Sequence, residues 1–379
     1  MRQGNRAAWR HVPVNLQILA IEPYYGGSHK AFLDGLARYS RHTWATATMP
    51  PRKWKWRMRG APLVFARQLD RPFDLLLVSD FVDLAALVGL NPRRLADVPK
   101  VAYFHENQLT YPVQHEIDRD YQYGFTNVTT CLAADRVFFN SAFHRGEFLA
   151  AVRTLFKRMP DQVPEGVAER IAERSAVLPL GCDLRALDVE APPREGTALV
   201  LWNHRWEYDK NPEAFFTVLF QLAEAGVDFR LAVAGESFRD APLIFDVARR
   251  RLGERVDHFG FLENRADYAL LLQRADIAVS TAHHEFFGIA AVEAMYCNCF
   301  PLFPNKLTYP ELLPPECHER HLYSDHDDLV ARLRSTIADI DATRQVRLHE
   351  AASRFDWSAL IERYDAELEA VASSTSSSH

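Results

Sequence analysis

The chain has 379 residues, 48% of them hydrophobic and 25% charged, a length that suits two domains or one unusually large one. Its 16 glycines and 21 prolines exclude a collagenous, low-complexity or largely unfolded chain, and no apolar run reaches the roughly 18–20 residues that cross a bilayer. The net charge of −6 is unevenly divided: residues 1–190 carry 25 basic and 20 acidic side chains, residues 191–379 carry 19 and 30. Either the first half meets an anionic partner, or an acidic carboxyl-terminal helix skews the count.

Residues 1–14 read as an extension, polar and arginine-bearing, without the apolar stretch of a secretory signal. From residue 15 onward, short apolar runs alternate with helical patterns. Leu16–Ile21, Leu75–Ser79, Val101–Phe104, Val137–Asn140 and Ala176–Leu180 read as buried strands, with helical spacing over Lys30–Tyr39. Asp188–Gly196, a cluster of Pro, Gly and charge, interrupts the pattern. Ala198–Trp202, Phe229–Ala234, Val256–Phe259, Ile277–Ser280 and Phe300–Phe303 form a second set of five, with helical spacing over Asn211–Ala225 and Ala241–Leu252. Such alternation predicts parallel βαβ crossovers. The expected architecture is α/β, two doubly wound Rossmann-like domains at 15–187 and 197–356 joined by a linker at 188–196. A helix over 357–372 is placed to cross back to the first domain, and 373–379 reads as a disordered serine-rich tail. Sheets of this kind bind ligands outside the carboxyl ends of their strands, so the cleft between the domains is the expected site.

Two clusters carry candidate chemistry. Asn203–Pro212 follows a strand and precedes a helix; Arg205 offers a planar fork and Lys210 a point charge, a pair suited to clamping a diphosphate and stabilising its charge as it leaves. An exposed polar loop with idle charges fits that segment equally well. Glu285–Glu293 follows the strand Ile277–Ser280 and opens a helix. Gly288 permits close backbone approach there, and Phe287 and Ile289 flank it in a first turn suited to phosphate. Glu285 and Glu293 could accept hydrogen bonds from hydroxyls at two ends of a sugar nucleotide; a dipole carboxylate and a solvated glutamate are the alternative.

Together these clusters resemble the retaining glycosyltransferases of family 4, which have the GT-B fold. There an Arg and a Lys five residues on grip the donor diphosphate, and a glutamate-x7-glutamate segment follows. Here the continuation is Glu293-Ala294-Met295-Tyr296-Cys297-Asn298, with Tyr and Asn where the family has small residues. Leu178–Asp183 resembles the family's turn at the end of the first domain. Glu22–Phe32, Pro51–Gly60 and Phe104–Leu109 are similar to one branch of that family, which includes tRNA-queuosine mannosyltransferase. The resemblance implies a GDP-mannose donor, no metal or other cofactor, and transfer to the cyclopentenediol of queuosine in a tRNA anticodon stem-loop. It also implies that Arg205 and Lys210 hold the diphosphate, Glu285 the sugar hydroxyls, Glu293 the ribose, and that His105 contacts the sugar near its anomeric centre.

Read from the residues alone, Gly26-Gly27-Ser28 is a strand-to-helix turn with Ser28 as N-cap, either structural or a point of close approach to phosphate or acceptor. The segment Arg52, Lys53, Trp54, Lys55, Trp56, Arg57, Arg59 interleaves five cations with two tryptophans and holds no acid. Cations neutralise phosphates and aromatic faces stack on unpaired bases, so this loop is the candidate RNA contact, unless it is a solvated loop with its tryptophans on the core. No metal is expected: His283-His284-Glu285 and His115-Glu116 lack the spacing that places two ligands on one helix face, and Cys297 and Cys299 have no partner pair. Five unpatterned cysteines fit a reducing, cytoplasmic setting. Three rivals stay open: a related transferase acting on a polysaccharide or lipid head group, a sugar-nucleotide 2-epimerase, and a non-catalytic RNA-binding protein on the same scaffold.

Overall fold

The computed structural model describes residues 15–113, 119–237 and 241–376. The expected extension at 1–14, the His115-Glu116 pair and the last three residues of the tail lie outside them.

Two six-stranded parallel sheets make up the fold. The first contains β1 (Gln17–Glu22), β2 (Thr43–Thr48), β3 (Leu75–Ser79), β4 (Lys100–Phe104), β5 (Arg136–Phe139) and β6 (Ser175–Val177), in the order β2-β1-β3-β4-β5-β6. The second contains β7 (Leu199–Trp202), β8 (Arg230–Ala234), β9 (Val256–Gly260), β10 (Ile277–Val279), β11 (Phe300–Pro304) and β12 (Leu322–Tyr323), in the order β12-β11-β10-β7-β8-β9. Each sheet thus has one strand more than the five expected from hydrophobic runs. β2, Thr-Trp-Ala-Thr-Ala-Thr, is an edge strand whose outer face stays partly exposed, so it lacks an apolar run. β12 is a two-residue edge strand, too short for any periodicity.

Strand order positions the site. Each sheet reverses direction once, at β1/β3 in the first and β7/β10 in the second, and the loops leaving adjacent strands there diverge to opposite faces and open a crevice. The crevices of the two sheets meet in one cleft, and the loops after β1, β3, β4, β7 and β10 line it.

The last helix, Trp357–Ser376, returns to the first domain. Tyr364 donates to the Pro179 carbonyl at 2.7 Å, Ser40 to Asp365 at 2.5 Å, and Arg41 to Glu369 at 2.8 Å. At its start Trp357 is buried against the backbone of Gly35 and Gly181; a Cβ at either would lie within 2.1–2.4 Å of the indole, so only glycine fits there. The helix runs through Ser376, which corrects the expectation that the tail begins at Ser373: Ser373 and Ser374 donate back to the Glu369 and Val371 carbonyls and extend it. The linker 188–196 is non-regular but docked, since Arg194 donates to the carbonyls of Gln273, Cys297 and Asn298 at 2.9, 2.6 and 2.6 Å.

Candidate active site

The second-domain wall of the cleft is built by the loops after β7 and β10. The amides of His283 and His284 donate to the Asp209 carbonyl at 2.8 and 3.3 Å, zipping the two loops together. Lys210 is buried between them. Its Nζ donates to the His284 carbonyl at 2.9 Å and lies 3.0 Å from Asp209 Oδ2 and 3.4 Å from Glu285 Oε2. Burial alone would lower the Lys210 pKa and raise that of Glu285; their mutual attraction, with Asp209 beside Lys210 and His204 and His284 beside Glu285, together outweighs it, holding the ammonium up and the carboxyl down. His204 and His284 are lowered to about 4 by burial and then by Lys210, so both rings are neutral, and the buried Nε2 of His284 has no hydrogen-bond partner among the described residues. Arg205 is half exposed and lines the cleft, 3.1 Å from Glu207 and hydrogen-bonded to Tyr111, with the rest of its planar fork open to a ligand.

Gly288, at φ 88°, turns the chain into the helix Ile289–Tyr296. Of the expected donor contacts on this segment, Glu293 is buried and already held: Arg265 donates to it at 2.6 Å and Tyr268 at 2.9 Å, while Asn203 donates to the Tyr268 hydroxyl at 3.0 Å. Its edge still lines the cleft beside Ile289 and Gly288. The Phe287 ring packs on Phe355 in the core, so of that residue mainly the backbone is available to a ligand. Phe286 ties the loop to the first domain: its carbonyl accepts from Ser141 Oγ at 2.6 Å, and its ring stacks on His144 at 3.8 Å. Glu311 strengthens that link by accepting from the Ala142 and Phe143 amides at 2.8 and 2.5 Å.

The first-domain wall begins with α1 (Gly27–Tyr39). Gly26 is its N-cap, and no side chain caps it. The expectation that Ser28 caps this helix is therefore corrected: the helix starts two residues earlier, at Gly27 with φ 51°, and Ser28 lies in its first turn, lining the cleft. Beneath it His29 Nδ1 lies 2.9 Å from Glu22 Oε2. Burial would lower this imidazole, but Glu22 outweighs burial and lifts it to about 9. Its ring lies 4.1 Å from that of His105, which is kept neutral by burial, then by the charge on His29. The His105 amide donates to Asp80 at 2.9 Å, its carbonyl accepts from Asn140 at 2.9 Å, and its buried Nε2 has no hydrogen-bond partner among the described residues. Glu106 follows, with one carboxylate oxygen accepting from Gln108 Nε2 at 3.0 Å.

Among the described residues, Glu22, His29 and His105 are the one group that could hold a metal, with ligand atoms within 4.8 Å of one another. Zinc needs its donors about 2 Å away, which sets tetrahedral ligands roughly 3.4 Å apart, and the Glu22–His29 hydrogen bond already satisfies two of the three. The group fits a hydrogen-bonded cluster better than a metal site.

The basic tryptophan segment is not a loop: α2 (Trp54–Phe65) begins within it, capped by Lys53 at φ 56°. The segment itself holds no acid, but Asp83, from outside it, meets Arg59 at 3.5 Å. Sequence spacing missed this helix because Pro62 and Gly60 lie inside it. Trp54 is half-buried on the cleft rim, 5.0 Å from Tyr123 and 6.3 Å from Phe81, which in turn stacks on Tyr24 at 5.3 Å. Lys55 sits over both Trp54 and Tyr123 and Arg59 over Tyr123. Arg52, Lys53 and Lys55 are exposed, Arg57 donates to the Pro50 carbonyl at 3.2 Å, and Trp56 is 57% exposed. Trp54 thus lines the cleft, with Lys55 over its ring, whereas Trp56 and the cations lie outside the cleft lining.

The cleft encloses about 850 Å³, enough for a sugar nucleotide and part of an acceptor. A second cavity of about 500 Å³ beside the linker is lined by Arg194 and Arg344, but those guanidiniums are committed to carbonyls and to Asp276. Sequence reasoning missed Arg265 and Tyr268, which no local signal links to Glu293, and gave no role to Glu22, His29, Glu106 or Gln108, although all lie in segments it singled out.

Residues 17–182 match the family described as tRNA-queuosine alpha-mannosyltransferase N-terminal, and residues 185–354 match glycosyl transferases group 1. The chain is 40% identical over 328 residues to the tRNA-queuosine alpha-mannosyltransferase of Drosophila melanogaster, covering 83% of this chain and 85% of that protein. It is 30% identical over 184 residues to a GDP-mannose-dependent alpha-(1-6)-phosphatidylinositol dimannoside mannosyltransferase of Mycobacterium tuberculosis, 46% of this chain and 42% of that one. In shape it is similar to a sucrose-phosphate synthase from Thermosynechococcus elongatus (TM-score 0.71, 17% identity, 94% of this chain and 100% of that one). An alpha,alpha-trehalose-phosphate synthase from Burkholderia vietnamiensis is also similar (TM-score 0.66, 14% identity, 97% and 100%). The fold is GT-B.

Proposed function

This chain belongs to the tRNA-queuosine alpha-mannosyltransferase family, and from that premise we propose that it transfers mannose from GDP-mannose to the cyclopentenediol of queuosine in tRNA, with retention at the anomeric carbon. It is a hexosyltransferase of group 1 type, and the similarity to the Drosophila protein covers most of both chains. The observation that carries the reading is the Lys210–Glu285 pair beside Arg205 where the second sheet reverses. It offers cations for a diphosphate and an ionised acceptor for sugar hydroxyls within one wall.

In this reading Arg205 and Lys210 stabilise the negative charge that grows on the diphosphate oxygen as its bond to the anomeric carbon breaks. The acceptor hydroxyl attacks from the side the diphosphate leaves, and the departing phosphate oxygen takes its proton. Glu285, tied to Lys210, orients the sugar rather than attacking it, because its pair already stabilises the carboxylate. His105, neutral and with a free Nε2, contacts the sugar from the other wall. Glu293, in its Arg265–Tyr268 frame, receives the ribose. Trp54 and the cations of α2 meet the anticodon stem-loop. No divalent metal takes part.

The test is incubation with total tRNA and a panel of sugar nucleotides, followed by nucleoside mass analysis. Expected is a hexose increment on queuosine with GDP-mannose; an increment on no nucleoside with any donor would overturn the reading. α2 also exposes Trp56, Leu63 and Val64 beside its cations, which favours a second reading, docking at an anionic membrane surface to reach a lipid acceptor. Sedimentation with anionic vesicles separates the two.

A further inference from the structure

Six carboxylates line the cleft: Glu106, Glu207, Asp209, Glu236, Glu285 and Glu293. Five belong to the second domain, and four of these are paired, Glu207 with Arg205, Asp209 and Glu285 with Lys210, Glu293 with Arg265. Glu236 stands exposed at the end of β8. On the first-domain side, Glu22 is held by His29 and by the Tyr24 amide at 2.7 Å, and Asp80 holds the His105 amide; neither lines the cleft. Among the described residues Glu106 is the one carboxylate on that wall which does, and Gln108 is the donor that holds it.

We propose that Glu106 is the acceptor-binding carboxylate, its two oxygens accepting hydrogen bonds from the two hydroxyls of a vicinal cis-diol, with Gln108 fixing its orientation. The proposal rests on the reading above, which supplies an acceptor of that chemistry. Burial pushes the Glu106 carboxyl up, opposed by the charges on His29 and Arg205 and by the Gln108 hydrogen bond; in its ionised form it is acceptor-only, with about four lone-pair sites, of which Gln108 occupies one and leaves both oxygens able to take a hydroxyl. Hydroxyls on adjacent ring carbons, on the same side, present two donors at about the spacing of those oxygens. Arg205 and Glu106 both line the cleft, and the Arg205 charge acts on the Glu106 carboxyl; as transfer begins, the diol hydroxyl nearer the diphosphate turns its proton from Glu106 to the departing phosphate oxygen. The walls suit the rest of the ring: Tyr24 and Tyr111 line the same stretch, giving flat apolar faces. Both phenols keep their protons, Tyr24 and Tyr111 each being raised by burial and then by Glu106. A single hydroxyl would need only one oxygen, so a two-point contact also selects the diol over a lone alcohol, by leaving a buried acceptor unpaired when the second hydroxyl is missing.

The test compares wild type with Glu106→Gln, and with Glu106→Asp as the conservative variant, using GDP-mannose and tRNA that carries queuosine. Transfer, GDP binding by calorimetry and hydrolysis of GDP-mannose by water are measured on each. Glu106→Gln should lower kcat/KM for the tRNA by about tenfold or more, the effect expected for loss of a charged hydrogen-bond partner, with GDP affinity within about twofold of wild type and hydrolysis unchanged. Glu106→Asp should recover part of the transfer. Equal loss of GDP binding, or normal transfer by a folded Glu106→Gln protein, would overturn the assignment. A wild-type protein that leaves queuosine untouched while binding GDP overturns the acceptor reading, and this inference with it.

Discussion

Lys210 Nζ lies 3.4 Å from Glu285 Oε2, although 75 residues separate them in the chain. The contact exists because β7 and β10 are neighbours in the second sheet, so the loops that leave them share one wall. Each charge keeps the other ionised in a buried place, and that has consequences for mutation.

Replacing Lys210 by Ala leaves Glu285 buried without its main partner, so its carboxyl should rise and the loop should loosen. Lys210→Ala should therefore lose donor affinity and destabilise the fold, by about 3–5 kcal/mol for a broken buried pair. Arg205→Ala, which removes a half-exposed side chain, should cost about 2–4 kcal/mol of transition-state stabilisation with little change in unfolding. Parallel melting and kinetic measurements separate the two patterns; a melting temperature equally low in both would refute the distinction.

Glu293 is held by Arg265 and Tyr268 before any ligand arrives. Glu293→Gln should chiefly weaken GDP binding, and Tyr268→Phe should do so by a smaller margin by freeing the carboxylate on one side. Calorimetric titration with GDP checks both. Unaltered affinity in Glu293→Gln would remove the ribose role.

His29 has its pKa raised from 6.5 to about 9 by Glu22. Its contribution to stability is fully present below pH 6.5 and is lost as pH rises through 9. A shift of that size is on the order of 3 kcal/mol. Urea unfolding at pH 6 and pH 9.5 should show wild type losing more stability than Glu22→Gln across this window. Parallel curves for the two proteins would contradict the pairing.

On α2, Trp54 lines the cleft and Trp56 is exposed outside that lining. Trp54→Ala should weaken tRNA binding by roughly 1–3 kcal/mol if a base stacks there, and Trp56→Ala should leave it nearly unchanged. Replacing Lys53, Lys55 and Arg57 together by Ala should flatten the salt dependence of tRNA binding, while GDP binding stays as it was. Salt-insensitive RNA binding combined with capture by anionic vesicles would favour the lipid acceptor.

Transfer should need no added divalent metal and should survive chelator. Complete loss with chelator, restored by manganese or zinc, would return attention to Glu22, His29 and His105 as ligands.

The sequence by itself determined the α/β alternation and most strand positions, because a strand buried on both faces is written as a continuous apolar run, as in Leu75–Ser79 and Phe300–Pro304. It also located the loops carrying Arg205, Lys210, Glu285 and His105, since a strand-to-helix turn is local and its residues are neighbours in the chain. Edge strands escaped, β2 because its Thr-rich face meets solvent, and α2 was mistaken for a loop because Gly60 and Pro62 weaken helical spacing. The tertiary structure alone set the partners: Lys210 with Glu285, Glu293 with Arg265 and Tyr268, Phe286 with Ser141 and His144, and the place of Glu106, held by Gln108, on the cleft wall. Those pairings depend on strand order and on how two domains face each other, and strand order is set by packing between segments tens of residues apart, which no local pattern records.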